Sequence, residues 1–150
     1  PGRVPKWVSA QHPEFTFCVT TMIDRAGRTD LHYAALQGET ARVSELLADG
    51  ISPDAADTQG FTPLHFAAQS YQAEIATLLL QAGAAVDATN GVGNTPLGLA
   101  VFNSQGRGEV IQLLLSSGAD PDKPNNAGVT PRVLAERIAN YDIKRFFADF

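Results

Sequence analysis

Apolar and polar positions along this chain follow a pattern that breaks off and restarts at regular intervals. One unit opens with "GFTPLHFAAQ" at residues 60–69, and related stretches are "GRTDLHYAAL" at 27–36, "GNTPLGLAVF" at 93–102 and "GVTPRVLAER" at 128–137. Thr29, Thr62, Thr95 and Thr130 stand where a helix should start, because a threonine hydroxyl caps backbone N–H groups that the first turn leaves unpaired. Pro63, Pro96 and Pro131 follow at the first helical position, where a missing N–H costs nothing. The small residues Ala34, Ala35, Ala67, Ala68 and Ala100 let neighbouring helices approach closely. After a short turn a second helix is predicted, with an apolar stripe such as Ile75, Leu78 and Leu79 at helical spacing. Gly50, Gly83 and Gly118 close these second helices, where a left-handed backbone angle is wanted. No unit of this size can bury its apolar face alone, so stacking must supply the core.

The opening glycines, Gly27, Gly60, Gly93 and Gly128, are spaced 33, 33 and 35 residues apart. A second landmark recurs with them: "LLADGISPD" (46–54), "LLQAGAAVD" (79–87) and "LLSSGADPD" (114–122). A 33-residue period carrying T-P-L-H-x-A resembles the ankyrin-repeat family, and here the resemblance covers residues 24–150. It implies an all-α solenoid of about four stacked helix-turn-helix repeats with β-turn fingers and terminal caps. The expected divisions are an N-terminal capping segment (1–23), repeats at 24–56, 57–89 and 90–124, and a C-terminal capping repeat (125–150). The third repeat carries a two-residue insertion near "FNSQGRGE" (102–109) and has Gly98 at the family's histidine position. The fourth reads Arg132-Val133 in place of Leu-His, and an atypical, more polar last repeat suits a cap. In the first segment "EFTFCVTTMI" reads as extended as much as helical, with Trp7, Phe15 and Phe17 expected to cover the first repeat.

Composition narrows the function. A chain of 150 residues, 44% hydrophobic, suits one domain or one short array. No apolar run approaches the roughly 18–20 residues that span a bilayer, and "PGRVPKWVSAQHPE" has no apolar signal core. A single cysteine, Cys18, excludes an intrachain disulfide framework and favours a reducing compartment, so a cytoplasmic location is expected. The net charge of −5 is uneven: residues 29–122 carry Arg42 and Arg107 against eleven carboxylates, a net of −9, while each flank carries +2. Such a middle repels nucleic acid and favours a basic partner through encounter rate, or consists of turn carboxylates on a solvated surface.

Catalytic chemistry has no motif to stand on. His32 and His65 occupy equivalent positions about 8–10 Å apart in a helix stack, too far to share a metal ion. The resemblance makes this histidine structural, bonding backbone near the helix start and linking adjacent repeats. There is no G-x-S-x-G elbow and no phosphate-binding loop, and "NGVGN" (90–94) falls where the family places a finger. Asp54, Asp57, Asp120 and Asp122 read as finger-turn residues. No enzyme activity, cofactor or metal is expected.

What the resemblance does imply is recognition of another protein on a concave face built from finger tips and first helices. Its positions here are Arg25, Arg28, Leu36 and Gln37 in the first repeat, and Thr58, Gln59, Phe61, Gln69 and Ser70 in the second. The third offers Val92, Asn94, Val101 and Phe102, and the fourth Asn126, Val129, Arg137 and Ile138. Phe61, Val92, Val101 and Phe102 stand out because folding of the array does not require apolar groups there; the sequence leaves open whether they anchor a partner or pack between repeats. Residues 97–150, with the "IANYD" run and Phe146-Phe147, look like small bacterial ankyrin proteins that accompany toxins as presumed immunity proteins. Two roles follow for a monomeric chain: an inhibitor of a basic toxin or enzyme, or a general adaptor or scaffold.

Overall fold

A computed structural model describes residues 23–138 and 141–150; the expected N-terminal cap at 1–23, with Trp7, Phe15, Phe17 and Cys18, falls almost wholly outside them. Seven α-helices follow in chain order, with no strand among the described residues: α1 Asp30–Gln37, α2 Thr40–Ala48, α3 Pro63–Gln69, α4 Ala73–Gln81, α5 Pro96–Phe102, α6 Glu109–Ser116 and α7 Pro131–Arg137. The architecture is an all-α repeat solenoid. First helices α1, α3, α5 and α7 stack side by side, and second helices α2, α4 and α6 form a second layer against them.

Local sequence explains each start and stop. The four threonines occupy N-cap positions with extended backbone, and the hydroxyls of Thr62, Thr95 and Thr130 accept the N–H of the residue three further on. The second helices run into Gly50, Gly83 and Gly118, all at positive φ. Between the layers the paired alanines and Leu31, Leu64, Leu97, Ile75, Leu79, Ile111 and Leu114 are almost or wholly inaccessible, forming one continuous core.

The connecting fingers share one device. Asp24, Asp57, Asn90 and Asn125 stand at equivalent positions, and one carboxylate or amide oxygen of each accepts the N–H groups two and four residues on. Adjacent fingers then bond in register: Thr58 N–H to the Ala26 carbonyl (2.8 Å), Gly91 to Gln59 (2.7 Å) and Asn126 to Val92 (3.0 Å). Glycine at the finger tip serves two needs at Gly60, where φ is +82° and a Cβ would lie 2.9 Å from the Asn90 Cα. Gly50, at φ +89°, has nothing within 4 Å. Both alanine variants therefore bear the left-handed backbone cost of about 1–2 kcal/mol, but only Gly60→Ala also forces two fingers apart. Urea unfolding should show Gly60→Ala as clearly the more damaging of the two.

The last unit departs from the pattern. α7 is followed by a 3-10 turn, Lys144–Phe147, rather than a second α-helix. Arg132, at the position of the buried Leu31, Leu64 and Leu97, closes this end: it pairs with Asp122 (2.8 Å) and donates to the carbonyls of Phe147 (3.3 Å) and Phe150 (2.7 Å). Ile143 and Phe147 are buried beneath it.

The longer turn at 103–108 is pinned from both sides. Tyr71 holds a left-handed conformation (φ +56°) where the first repeat has Gly38, donates its hydroxyl to the Arg107 carbonyl, and lies 4.2 Å beneath the Arg107 guanidinium. From the other side the Phe146 ring approaches Gly108 so closely that a Cβ there would lie 2.3 Å from it.

Candidate partner-binding face

Because α1, α3, α5 and α7 stack in register, equivalent residues form rows. Tyr33, Phe66, Leu99 and Leu134 form one row, and Leu36, Gln69, Phe102 and Arg137, one turn on, form the next. Fingers bound the first row. The Arg28 guanidinium lies 5.0 Å over the Phe66 ring and 5.7 Å over Tyr33, while its Nε donates to Asp57 at 3.0 Å. Asp57 is almost wholly enclosed. Burial works to raise its carboxyl, but hydrogen bonds from the Phe61 N–H, Arg28 and the Gln59 N–H outweigh it and hold the group below its ordinary value. Phe61 stacks on Phe66 (5.3 Å, 21°), and beyond it a groove opens between Phe61, Val92 and Leu99. Val92 is 58% exposed and Phe102 70%.

The histidines lie behind this face. The Thr62 N–H donates to His65 Nδ1 (3.1 Å), so that nitrogen is the acceptor and Nε2 carries the proton. Nε2 donates in turn to the Asn94 carbonyl of the next finger (2.9 Å). His32 repeats the arrangement with Thr29 (3.0 Å) and the Phe61 carbonyl (3.0 Å). Both rings are fully buried, and burial pushes both imidazoles below their ordinary value against the opposing pull of those carbonyl bonds.

A family model described as ankyrin repeats (3 copies) matches residues 9–90 and 31–125. The chain belongs to the ankyrin-repeat family. Ankyrin repeats generally mediate protein–protein interaction, and among the described residues no helix is long and apolar enough to cross a membrane. No curated protein matches the chain.

Within the ankyrin stack the candidate contact residues divide. Arg25, Gln37, Thr58, Gln59, Gln69, Val92, Phe102, Asn126 and Arg137 are exposed. Val101 is not: it is fully buried in the core, about 100° around α5 from Phe102, and leaves the candidate surface. Phe61 presents only part of its ring, since Phe66 and His65 cover the rest. Arg28, Ser70 and Val129 are half-buried, and so is Asn94, whose carbonyl receives His65 and whose side-chain oxygen receives Asn125 Nδ2. Asn126, although exposed, donates to the Gly91 carbonyl (3.2 Å) and so ties two fingers.

The folded charge pattern also differs from the linear count. Asp57 is paired and enclosed, Asp54 and Asp87 accept N–H groups of the next repeat, Asp122 pairs with Arg132, and Asp30 and Glu45 share Arg42. The candidate contact residues include three arginines and no carboxylate. Sequence reasoning marked Arg132 as a polar departure suited to a cap but not its bonds to Phe147 and Phe150, and it missed the Asp24–Asp57–Asn90–Asn125 series, which was signalled by its 33, 33 and 35 spacing and masked by the change from Asp to Asn.

Proposed function

We propose that this ankyrin array is a non-catalytic binding module that takes a partner protein on the face formed by fingers and first helices, centred on Phe102 and Val92. The observation that carries this reading is the exposure of those two side chains beside the Phe61–Leu99 groove, in a stack whose other large apolar groups are mostly enclosed. The finer reading makes the module an inhibitor or immunity protein that covers a toxin or enzyme; the adaptor reading leaves the partner active. The acidic middle segment supports a basic partner only through its long-range field, because its carboxylates are largely engaged within the array and the contact face carries arginines.

The test begins with capture of the partner by the intact chain, followed by calorimetry with wild type and the double variant Val92→Ser/Phe102→Ser. Affinity should fall at least about tenfold, or 1.4 kcal/mol, with stability unchanged to within about 0.5 kcal/mol because both side chains are exposed. Unaltered affinity would move the site elsewhere. Assaying the captured partner with and without the array then separates inhibitor from adaptor.

A further inference from the structure

The four fingers are built alike except in the residue that follows the Asp or Asn at their base, which is Arg25, Thr58, Gly91 and Asn126 in turn. The N–H groups of Thr58, Gly91 and Asn126 all donate to the preceding finger. Gly91 is not among the glycines at positive φ. A Cβ on it would lie 3.1 Å from the Gln59 carbonyl oxygen, which is tight, but Thr58 and Asn126 make the same bond with a Cβ in place. Finger geometry therefore does not single out glycine at this position.

What glycine changes is chemistry. Asn90 is the only asparagine in the chain followed by glycine. With no Cβ on the next residue, the backbone nitrogen of Gly91 can reach the side-chain carbon of Asn90 unhindered. Once that nitrogen has lost its proton to solvent, it forms a bond to Cγ, the Cγ–Nδ2 bond breaks, and ammonia leaves with a proton from water. Water then opens the five-membered imide at one of its two carbonyls, giving aspartate or isoaspartate. Either product carries a carboxylate where a neutral amide stood.

In the folded array both reacting groups are engaged. The Gly91 N–H donates to the Gln59 carbonyl (2.7 Å), and Asn90 Oδ1 accepts from Val92 (3.1 Å) and Asn94 (3.0 Å). Asn90 is 7% exposed. Reaction therefore requires the third finger to lift from the second, and the product does not fit back. At the second finger the spare oxygen of Asp57 takes Arg28 Nε (3.0 Å), and at the fourth Asn125 Nδ2 reaches Asn94 Oδ1 (2.9 Å). The residue in the place of Arg28 and Asn94 is Phe61, which lines the groove together with Asn90. Its ring offers an enclosed carboxylate neither a charge nor a hydrogen bond.

We propose that Asn90-Gly91 is a self-modification site: opening of the third finger exposes it to deamidation in water, and the new carboxylate, facing Phe61, prevents the finger from closing as before. The array thereby keeps a one-way record of finger opening, written on the wall of the Phe61–Leu99 groove. This chemistry belongs to the finger and does not depend on what the groove binds.

The test is incubation of the whole chain at mildly alkaline pH, followed by digestion and mass spectrometry of the peptide holding residues 90 and 91, with released ammonia as a second readout. The folded chain should react at least about tenfold more slowly than chain unfolded in guanidinium chloride, because only the opened population reacts. Gly60→Ala, which forces the second and third fingers apart, should react faster than Gly50→Ala, which bears the same backbone cost with nothing nearby. In the unfolded chain Gly91→Ala should slow the reaction at least about tenfold by restoring the hindrance that glycine lacks. Asn90→Asp should lower Tm, and Phe61→Arg, which copies the Arg28–Asp57 pair, should be better tolerated in that background than in wild type. Equal rates in folded and unfolded chain, or in Gly60→Ala and Gly50→Ala, would overturn the gate. Another asparagine reacting first in the unfolded chain would overturn the site, and an unchanged Tm for Asn90→Asp would overturn its consequence.

Discussion

Truncating Leu79 to alanine is expected to remove about 2–5 kcal/mol of folding stability, the range for deleting a large buried side chain that leaves a cavity. Leu79 has no exposed surface and belongs to α4, which packs against α3 in its own repeat and against α2 and α6 on either side. Damage there weakens both flanking interfaces at once. In a stack whose stability is a sum of unit and interface contributions, the array should then cease to unfold as one body. Urea titration followed by circular dichroism should show a lower midpoint and a broader transition. Leu80→Ala, at a half-buried position one residue on, should cost clearly less. Equal effects from the two would contradict the packing described.

Replacement of His65 by alanine is expected to cost about 3 kcal/mol, because an enclosed donor left without a partner loses roughly 1–3 kcal/mol and the emptied space adds to it. The bonds at risk are those from the Thr62 N–H and to the Asn94 carbonyl. A pH signature distinguishes this loss from simple truncation. The folded state holds His65 neutral, with its proton affinity pushed below the ordinary 6.5 by burial. Below that pH the unfolded chain takes up a proton that the folded chain resists, so stability is full above about pH 6.5 and falls as the pH drops through the imidazole range. His32 adds a loss of the same sign. Wild type should therefore lose stability between about pH 6.5 and 5, and His65→Ala should show a shallower decline over the same interval. An unchanged slope would mean that His65 is not held neutral by the fold.

Much of this architecture was legible because short-range rules write it into the chain. Thr62-Pro63 starts a helix by its own hydrogen-bonding chemistry, and Gly83 ends one by its own backbone freedom; neither requires knowledge of a neighbour. Features settled between units were harder to read. Val101 and Phe102 are adjacent and equally apolar, yet one is wholly enclosed and the other open, a difference set by which side of α5 meets the second helix layer. Phe61 is half-covered because the next turn supplies Phe66 as its stacking partner. Arg132 looks like a lost leucine until the Phe147 and Phe150 carbonyls are folded back upon it. The −9 of the middle segment likewise could not reveal that Asp57 would turn inward to Arg28 and to the backbone of its own finger.

The finger ladder bears on how a partner would be met. Each of the first three tips is fixed twice: by the Asp or Asn beneath it, and by an N–H from the following finger. Loops that carry recognition commonly lose conformational freedom when their partner arrives, and that loss subtracts from affinity. Here it occurs during folding instead, so the tips enter an encounter already shaped. Docking can proceed as a collision of two rigid surfaces, and differences among partners should be felt mainly in how slowly they leave.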